Sequence, residues 1–222
     1  VFTAGDVNGD GFSDVIVGAY LYDNGRTYVF HGSASGLSSS DNWTAESDQV
    51  GSNFGSSVSS AGDVNGDGYS DVIVGAPDYD NGKITGGRAF VFHGAASGLS
   101  AVANWTAENN QFESKFGASV STAGDVNGDG YADVIVGAEW FEHGQTQEGK
   151  AYVFHGSESG VSVTANWNAE SNQANANFGK SVSTAGDVNG DGYSDVIVGA
   201  ENFDNGQSNE GGTFVYYGSA IG

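Results

Sequence analysis

Four short stretches of this sequence gather acidic oxygen in a pattern that suits a hard metal ion. Each reads Asp-x-Asn-x-Asp-Gly-x-x-Asp. The candidate ligands are Asp6, Asn8, Asp10, Phe12 and Asp14 in the first, and Asp63, Asn65, Asp67, Tyr69 and Asp71 in the second. They are Asp125, Asn127, Asp129, Tyr131 and Asp133 in the third, and Asp187, Asn189, Asp191, Tyr193 and Asp195 in the fourth. The aromatic member of each set offers its main-chain carbonyl. All these donors are hard oxygens. Calcium takes six to eight of them at about 2.3–2.6 Å in flexible geometry, whereas magnesium demands a smaller octahedron and keeps more water. Without a cation, two carboxylates 4 Å apart repel by about 4 kcal/mol at an effective dielectric of 20. One Ca2+ per loop, four per chain, is therefore expected, in a structural rather than catalytic role. A solvated acidic turn is the plain alternative, and four copies with identical ligand spacing weigh against it.

These loops open like the calcium loop of an EF-hand but do not end like one. The twelfth position, which should be Glu, holds Val17, Val74, Val136 or Val198. The flanking residues read as strands. The closing carboxylate comes at position nine.

The elements that must carry the loops are themselves repeated. The string AGDVNGDG(Y/F)(S/A)DVIVGA occurs four times, its first aspartates spaced by 57, 62 and 62 residues. Internal repetition on this scale points to stacked units that cannot bury their faces alone. Before each loop comes a segment such as Phe54 to Ala61, whose small and apolar residues suit a strand near a crowded axis. After it comes Asp71-Val72-Ile73-Val74-Gly75-Ala76, a β-branched run that suits a strand covered on both faces. An aromatic strand follows at Arg88 to Gly94, then a short one at Asn104 to Glu108 anchored by Trp105. Between the second and third strands lie turns such as Tyr22-Asp23-Asn24-Gly25 and Tyr79-Asp80-Asn81-Gly82, with Asn-Gly expected where φ is positive. The short first spacing arises because Lys83 to Gly87 have no counterpart between Gly25 and Arg26.

Four antiparallel strands per repeat predict an all-β chain of β-propeller blades. The repeats run over approximately 1–53, 54–115, 116–177 and 178–222, forming one propeller segment whose last blade is incomplete. A parallel β-helix and nonapeptide calcium repeats have shorter periods and fit less well.

Composition narrows the function classes. The formal net charge of −22 from 28 acidic and six basic residues leaves no positive stripe for nucleic acid. The absence of cysteine excludes disulfides and thiolate metal sites. No apolar run is long enough to span a membrane. The sequence opens mid-pattern at Val1, which suggests part of a longer precursor or a trimmed chain.

Phe54-Gly55, the loop Asp63 to Asp71 and Gly75-Ala76-Pro77 together resemble an FG-GAP repeat, as found in the propeller of integrin α-subunits and in bacterial surface proteins. Only the second repeat has Gly-Ala-Pro; the others place Tyr20, Glu139 or Glu201 after Gly-Ala. The resemblance implies calcium loops joining the first and second strands of each blade. It also implies a ligand face at the opposite end, built from the second-to-third and fourth-to-first loops. Candidate contacts there are Tyr22, Tyr79, Trp140, Phe141, His143 and Phe203. Four blades fall short of the family's usual seven, and a homodimer closing an eight-bladed ring is one expectation.

The leading functional expectation is a non-enzymatic, extracellular or cell-surface module for adhesion or protein binding. A lectin with repeated pockets between blades is the second, and an accessory domain of a secreted enzyme the third. No nucleophile–base motif such as G-x-S-x-G is present. Trp43, Trp105 and Trp167 could stack on sugars, but blade-to-blade packing explains their shared register more simply. His31, His93 and His155 end the third strand, and Tyr217 takes that place in the fourth blade.

Overall fold

The computed structural model describes every residue except 81, 83 and 84, so Asn81 of the second Asn-Gly turn and the start of the Lys83 to Gly87 insertion lie outside the described residues. Among the described residues fifteen strands form four separate antiparallel sheets. The first sheet holds β1 (Phe2–Gly5), β2 (Asp14–Ala19), β3 (Arg26–Phe30) and β4 (Trp43–Glu46). The second holds β5 (Ser57–Gly62), β6 (Asp71–Ala76), β7 (Arg88–Phe92) and β8 (Trp105–Glu108). The third holds β9 (Phe116–Gly124), β10 (Asp133–Ala138), β11 (Lys150–Phe154) and β12 (Trp167–Glu170). The fourth has three strands, β13 (Phe178–Gly186), β14 (Asp195–Ala200) and β15 (Gly212–Tyr216). Each sheet runs in chain order, the meander expected of a propeller blade. Among the described residues no helix is long and apolar enough to cross a membrane.

The β-branched run does what its composition predicts. All six residues of β6 and of β10 are buried. One face of such a strand packs on the preceding blade and the other on the following one, which is why the run need not alternate with polar residues. The first strands line the inside and stack in sequence: β1 against β5, β5 against β9, β9 against β13. The expected first strand from Phe54 is shorter in the second blade, where β5 begins at Ser57. The chain bends there through Asn53 at φ 55° and Gly55 at φ 84°, as it does at Lys115 and Gly117 and at Asn177 and Gly179 in the next two blades, and Gly55 N already donates to the Gly75 carbonyl at 2.9 Å.

The three aromatic residues of the Phe-Gly pairs, Phe54, Phe116 and Phe178, are among the largest fully buried side chains. Each seats its ring edge against aromatic residues of the third strand in its own blade: Phe54 on Phe90 and Phe92, Phe116 on Tyr152 and Phe154, Phe178 on Phe214 and Tyr216. Trp43 and Trp105 reach across to the next blade. Trp43 meets Phe92 edge-on and donates its indole N–H to the Ser100 carbonyl at 2.9 Å; Trp105 does the same with Phe154 and Ser162 at 2.8 Å. Their rings serve packing between blades.

The last blade presents a face that its predecessors bury. Val7 and Val64 are fully covered by the following blade, whereas Val188, in the same register, is 56% exposed.

Candidate functional site

The four acidic loops join β1 to β2, β5 to β6, β9 to β10 and β13 to β14, all at one end of the blades. Each starts at a glycine of positive φ (Gly5, Gly62, Gly124, Gly186) where the strand register shifts. That break in pairing frees the chain to curl.

The curl is held by the aspartates themselves, in the same way four times. In the second blade Asp63 Oδ1 accepts the N–H groups of Gly66 and Asp67 at 2.7 and 3.1 Å, and its Oδ2 accepts that of Gly68 at 2.8 Å. Asn65 Oδ1 accepts from Asp67 N, and Asp67 Oδ1 from Tyr69 N. Asp71, fully buried, takes Val64 N on one oxygen at 2.9 Å and Gly94 N on the other at 2.8 Å. The closing aspartate thus ties its loop to the end of the third strand. Asp14, Asp133 and Asp195 make the matching pairs of bonds. Successive loops are joined as well, since Ser70 N donates to the Asp6 carbonyl, Ala132 N to that of Asp63 and Ser194 N to that of Asp125.

Burial pushes the carboxyls of Asp71 and Asp133 up to about 7; backbone N–H bonds oppose the shift, and the neighbouring carboxylates add to it. The exposed Asp187 behaves oppositely, held below its ordinary range chiefly by the Gly192 N–H. A buried carboxylate with other acids beside it favours a proton or a cation. In this conformation the carboxylates of a loop are spent on backbone N–H groups. Each carboxylate oxygen has a second lone pair, so these bonds leave coordinating capacity. The donor set of three carboxylates, an amide oxygen and a carbonyl fits a hard divalent ion.

The histidines at the ends of the third strands were legible in the sequence only as strand-end residues. They support the loops. His31, His93 and His155 each place Nδ1 at 3.2–3.3 Å from the amide nitrogen of Asn8, Asn65 and Asn127. The same nitrogen also donates to Asp10, Asp67 or Asp129. Both contacts fix the amide so that its oxygen faces away from the histidine, with Nδ1 as acceptor. Burial holds His93 and His155 below the ordinary imidazole value, favouring the neutral ring that this contact requires. In the fourth blade Tyr217 takes the place and is exposed.

At the opposite end, the six candidate contact residues differ in exposure. Tyr22 and His143 are exposed. Tyr79 is buried, donates its hydroxyl to Asp48 at 3.0 Å and lies 4.0 Å under the Arg88 guanidinium. Phe141 and Phe203 rest edge-on against Tyr152 and Phe214 and act as anchors for their loops. Trp140 is partly exposed beneath the Lys115 ammonium, 4.8 Å from its ring centre. In the first turn the positive φ values fall on Asp23 and Gly25, so the left-handed conformation expected of Asn24 is taken by its neighbours.

These loops are laced by a glutamine clamp that the sequence did not announce. Gln49 exchanges two hydrogen bonds with the backbone of Asp80, 31 residues on, and Gln111 with Glu142 and Gln173 with Asp204 likewise. Each clamp joins a fourth-to-first loop to the next blade's second-to-third loop. The signal was a glutamine at a 62-residue period.

Comparison with known proteins agrees with this geometry. The chain is 34% identical over 217 residues to integrin alpha-PS2 of Drosophila melanogaster, which covers 90% of this chain and 15% of that protein. It is 32% identical over 210 residues to integrin alpha-V of Gallus gallus (88% and 19%), and 32% identical over 192 residues to integrin alpha-4 of Xenopus laevis (84% and 18%). The chain thus spans less than a fifth of the length of these relatives. The FG-GAP repeat profile matches residues 1–30, 54–92, 116–154 and 178–217, about two thirds of the chain and once in each blade. The chain belongs to the FG-GAP repeat family.

Proposed function

We propose that this chain is a calcium-stiffened binding module that acts outside the cell or at its surface, in adhesion or protein recognition, without catalysing a reaction. The observation that supports it most directly is the fourfold loop, with one hydrogen-bond scheme and one hard-oxygen donor set at the same end of every blade. The names of the relatives, integrin α-subunits, support the adhesion reading. Ca2+ would be held by the side chains of Asp6, Asn8, Asp10 and Asp14, the Phe12 carbonyl, and their counterparts in the other loops. The ion supplies the positive charge that the clustered carboxylates lack. At free calcium ten times Kd each site would add about 1.4 kcal/mol, comparable in total to much of a domain's stability.

Protein recognition would fall on the end away from the ions. Its most individual feature is a cleft of about 190 Å³ lined by Phe112, Glu113, Trp140, Glu142 and Gln147. The exposed Phe112 ring and the partly exposed Trp140, already under the Lys115 ammonium, suit an apolar side chain of a protein ligand. The lectin reading loses support from Trp43 and Trp105, whose rings are engaged between blades.

The face of the last blade around Val188 is uncovered in this chain. We assign it to the first blade of a second copy, two chains closing an eight-bladed ring. The argument is continuity with the three junctions inside the chain: Val188 offers what Val7, Val64 and Val126 offer, and their carbonyls accept from Ala95, Ser157 and Ser219 of the next blade.

Light scattering and thermal melting, in calcium and in EDTA, test both parts. A mass near twice 22.7 kDa with a calcium-dependent melting temperature is expected. A melting temperature indifferent to EDTA refutes the calcium reading, and a strict monomer refutes the ring.

A further inference from the structure

Among the described residues, the third blade alone carries a cluster of this kind: His143, Glu148 and Glu170 each bring one ligand atom within 4.8 Å of the other two. They come from the second-to-third loop and from the end of β12 beside it, at the end of the blade opposite the acidic loops. The positions equivalent to His143 hold Asn24 and Asn205 in the first and fourth blades, and Glu148 is replaced by Gly86 in the second.

Glu148 makes this more than an acidic cluster. Its side chain is fully buried, and one carboxylate oxygen, Oε2, has no hydrogen-bond partner. The other accepts the His143 backbone N–H. An ionised oxygen removed from water without a partner is costly, and native structures rarely leave one so. Glu170 is set free by a substitution nearby. In the first two blades the equivalent Glu46 and Glu108 are gripped by Arg26 and Arg88 across the β3–β4 and β7–β8 pairs. In the third blade Lys150 replaces the arginine. Its ammonium lies 3.6 Å from Glu170 Oε2, beyond hydrogen-bond reach, and 4.7 Å from the centre of the Phe141 ring. Glu170 Oε1 turns instead to His143 Nδ1 at 3.0 Å.

We propose that His143, Glu148 and Glu170 form a single site for a borderline divalent cation, Zn2+ in the first instance, separate from the acidic loops. An imidazole and two carboxylates are a zinc donor set, with a fourth position left open to water. Calcium prefers all-oxygen coordination with more ligands. The site faces the end of the blade on which recognition is proposed, but it does not depend on that reading or on the calcium reading.

The test is titration of the full chain with zinc chloride in saturating calcium, read by calorimetry, together with anomalous diffraction at the zinc edge. The expected result is one Zn2+ per chain with an anomalous peak between the three side chains. His143→Asn, which installs the residue of the first and fourth blades at an exposed position, should weaken binding at least about tenfold, the loss that even an outer partner's removal can cause. Glu148→Gln should do the same, its fold checked by circular dichroism, and Glu158→Gln, at an exposed acid outside the triad and the acidic loops, should leave the zinc stoichiometry unchanged. No binding up to about 1 mM zinc overturns the proposal. So does binding undiminished by His143→Asn, or an anomalous peak confined to the acidic loops.

Discussion

Gly75 and Gly117 face each other across the junction between the second and third blades so closely that a Cβ on Gly75 would lie 2.0 Å from the Gly117 carbonyl oxygen. Gly18 meets Gly55 and Gly137 meets Gly179 in the same way, at 1.9 and 2.0 Å. The glycine of the DVIVGA strand and the glycine of Phe-Gly are therefore two halves of one contact, repeated at each junction. Gly75→Ala should cost at least about 1–3 kcal/mol, because backbone rather than a mobile side chain stands in the way. Gly199→Ala should cost much less in the isolated chain, since its nearest obstacle is the Ser181 hydroxyl of its own blade. Chemical denaturation of both variants checks the contrast.

The ring of Phe116 is fully buried and touches Tyr152 and Phe154 in edge-to-face contact. Phe116→Ala should therefore destabilise the chain by about 3–5 kcal/mol, the usual cost of emptying so large a buried volume. A urea titration with an unchanged slope and a lower midpoint is the expected signature.

Trp105 joins packing to polarity at the same junction, its indole N–H donating to the Ser162 carbonyl. Trp105→Phe keeps an aromatic ring but strands that carbonyl. A loss of about 1–3 kcal/mol is expected by denaturant melting, with native circular dichroism retained.

The buried carboxyls of Asp71 and Asp133, which titrate near 7 rather than 3.8, give the calcium-free protein a distinctive pH dependence. Between about 4 and 7 the folded chain holds more protons at these sites than the unfolded chain does. Its stability is then greatest at the acid end of the window and is lost as pH rises through 7. Melting in EDTA at pH 5 and pH 7.5 should show the decline, and saturating calcium should abolish it by favouring the ionised carboxylates.

The repeat and its strands were legible because they are local. A β-branched run bounded by Asp and Gly-Ala allows little but a strand covered on both faces, and β6 and β10 match it to the residue. The position of the acidic loops between first and second strands was legible for the same reason: the spacing of three aspartates within nine residues is a property of the chain alone. What the sequence could not show were meetings between distant residues. Tyr79 looks like a free aromatic on a loop, yet Arg88 and Asp48 enclose it. His93 reads as a strand end until its ring is found against Asn65, 28 residues earlier. The triad of His143, Glu148 and Glu170 exists only because β12 lies beside β11, and because a lysine there holds its neighbour less closely than an arginine does. Local pattern fixes which strands form, since it sets which faces must leave water. Only the stacking of blades decides which side chains are covered, because that depends on surfaces contributed by residues far apart in the chain.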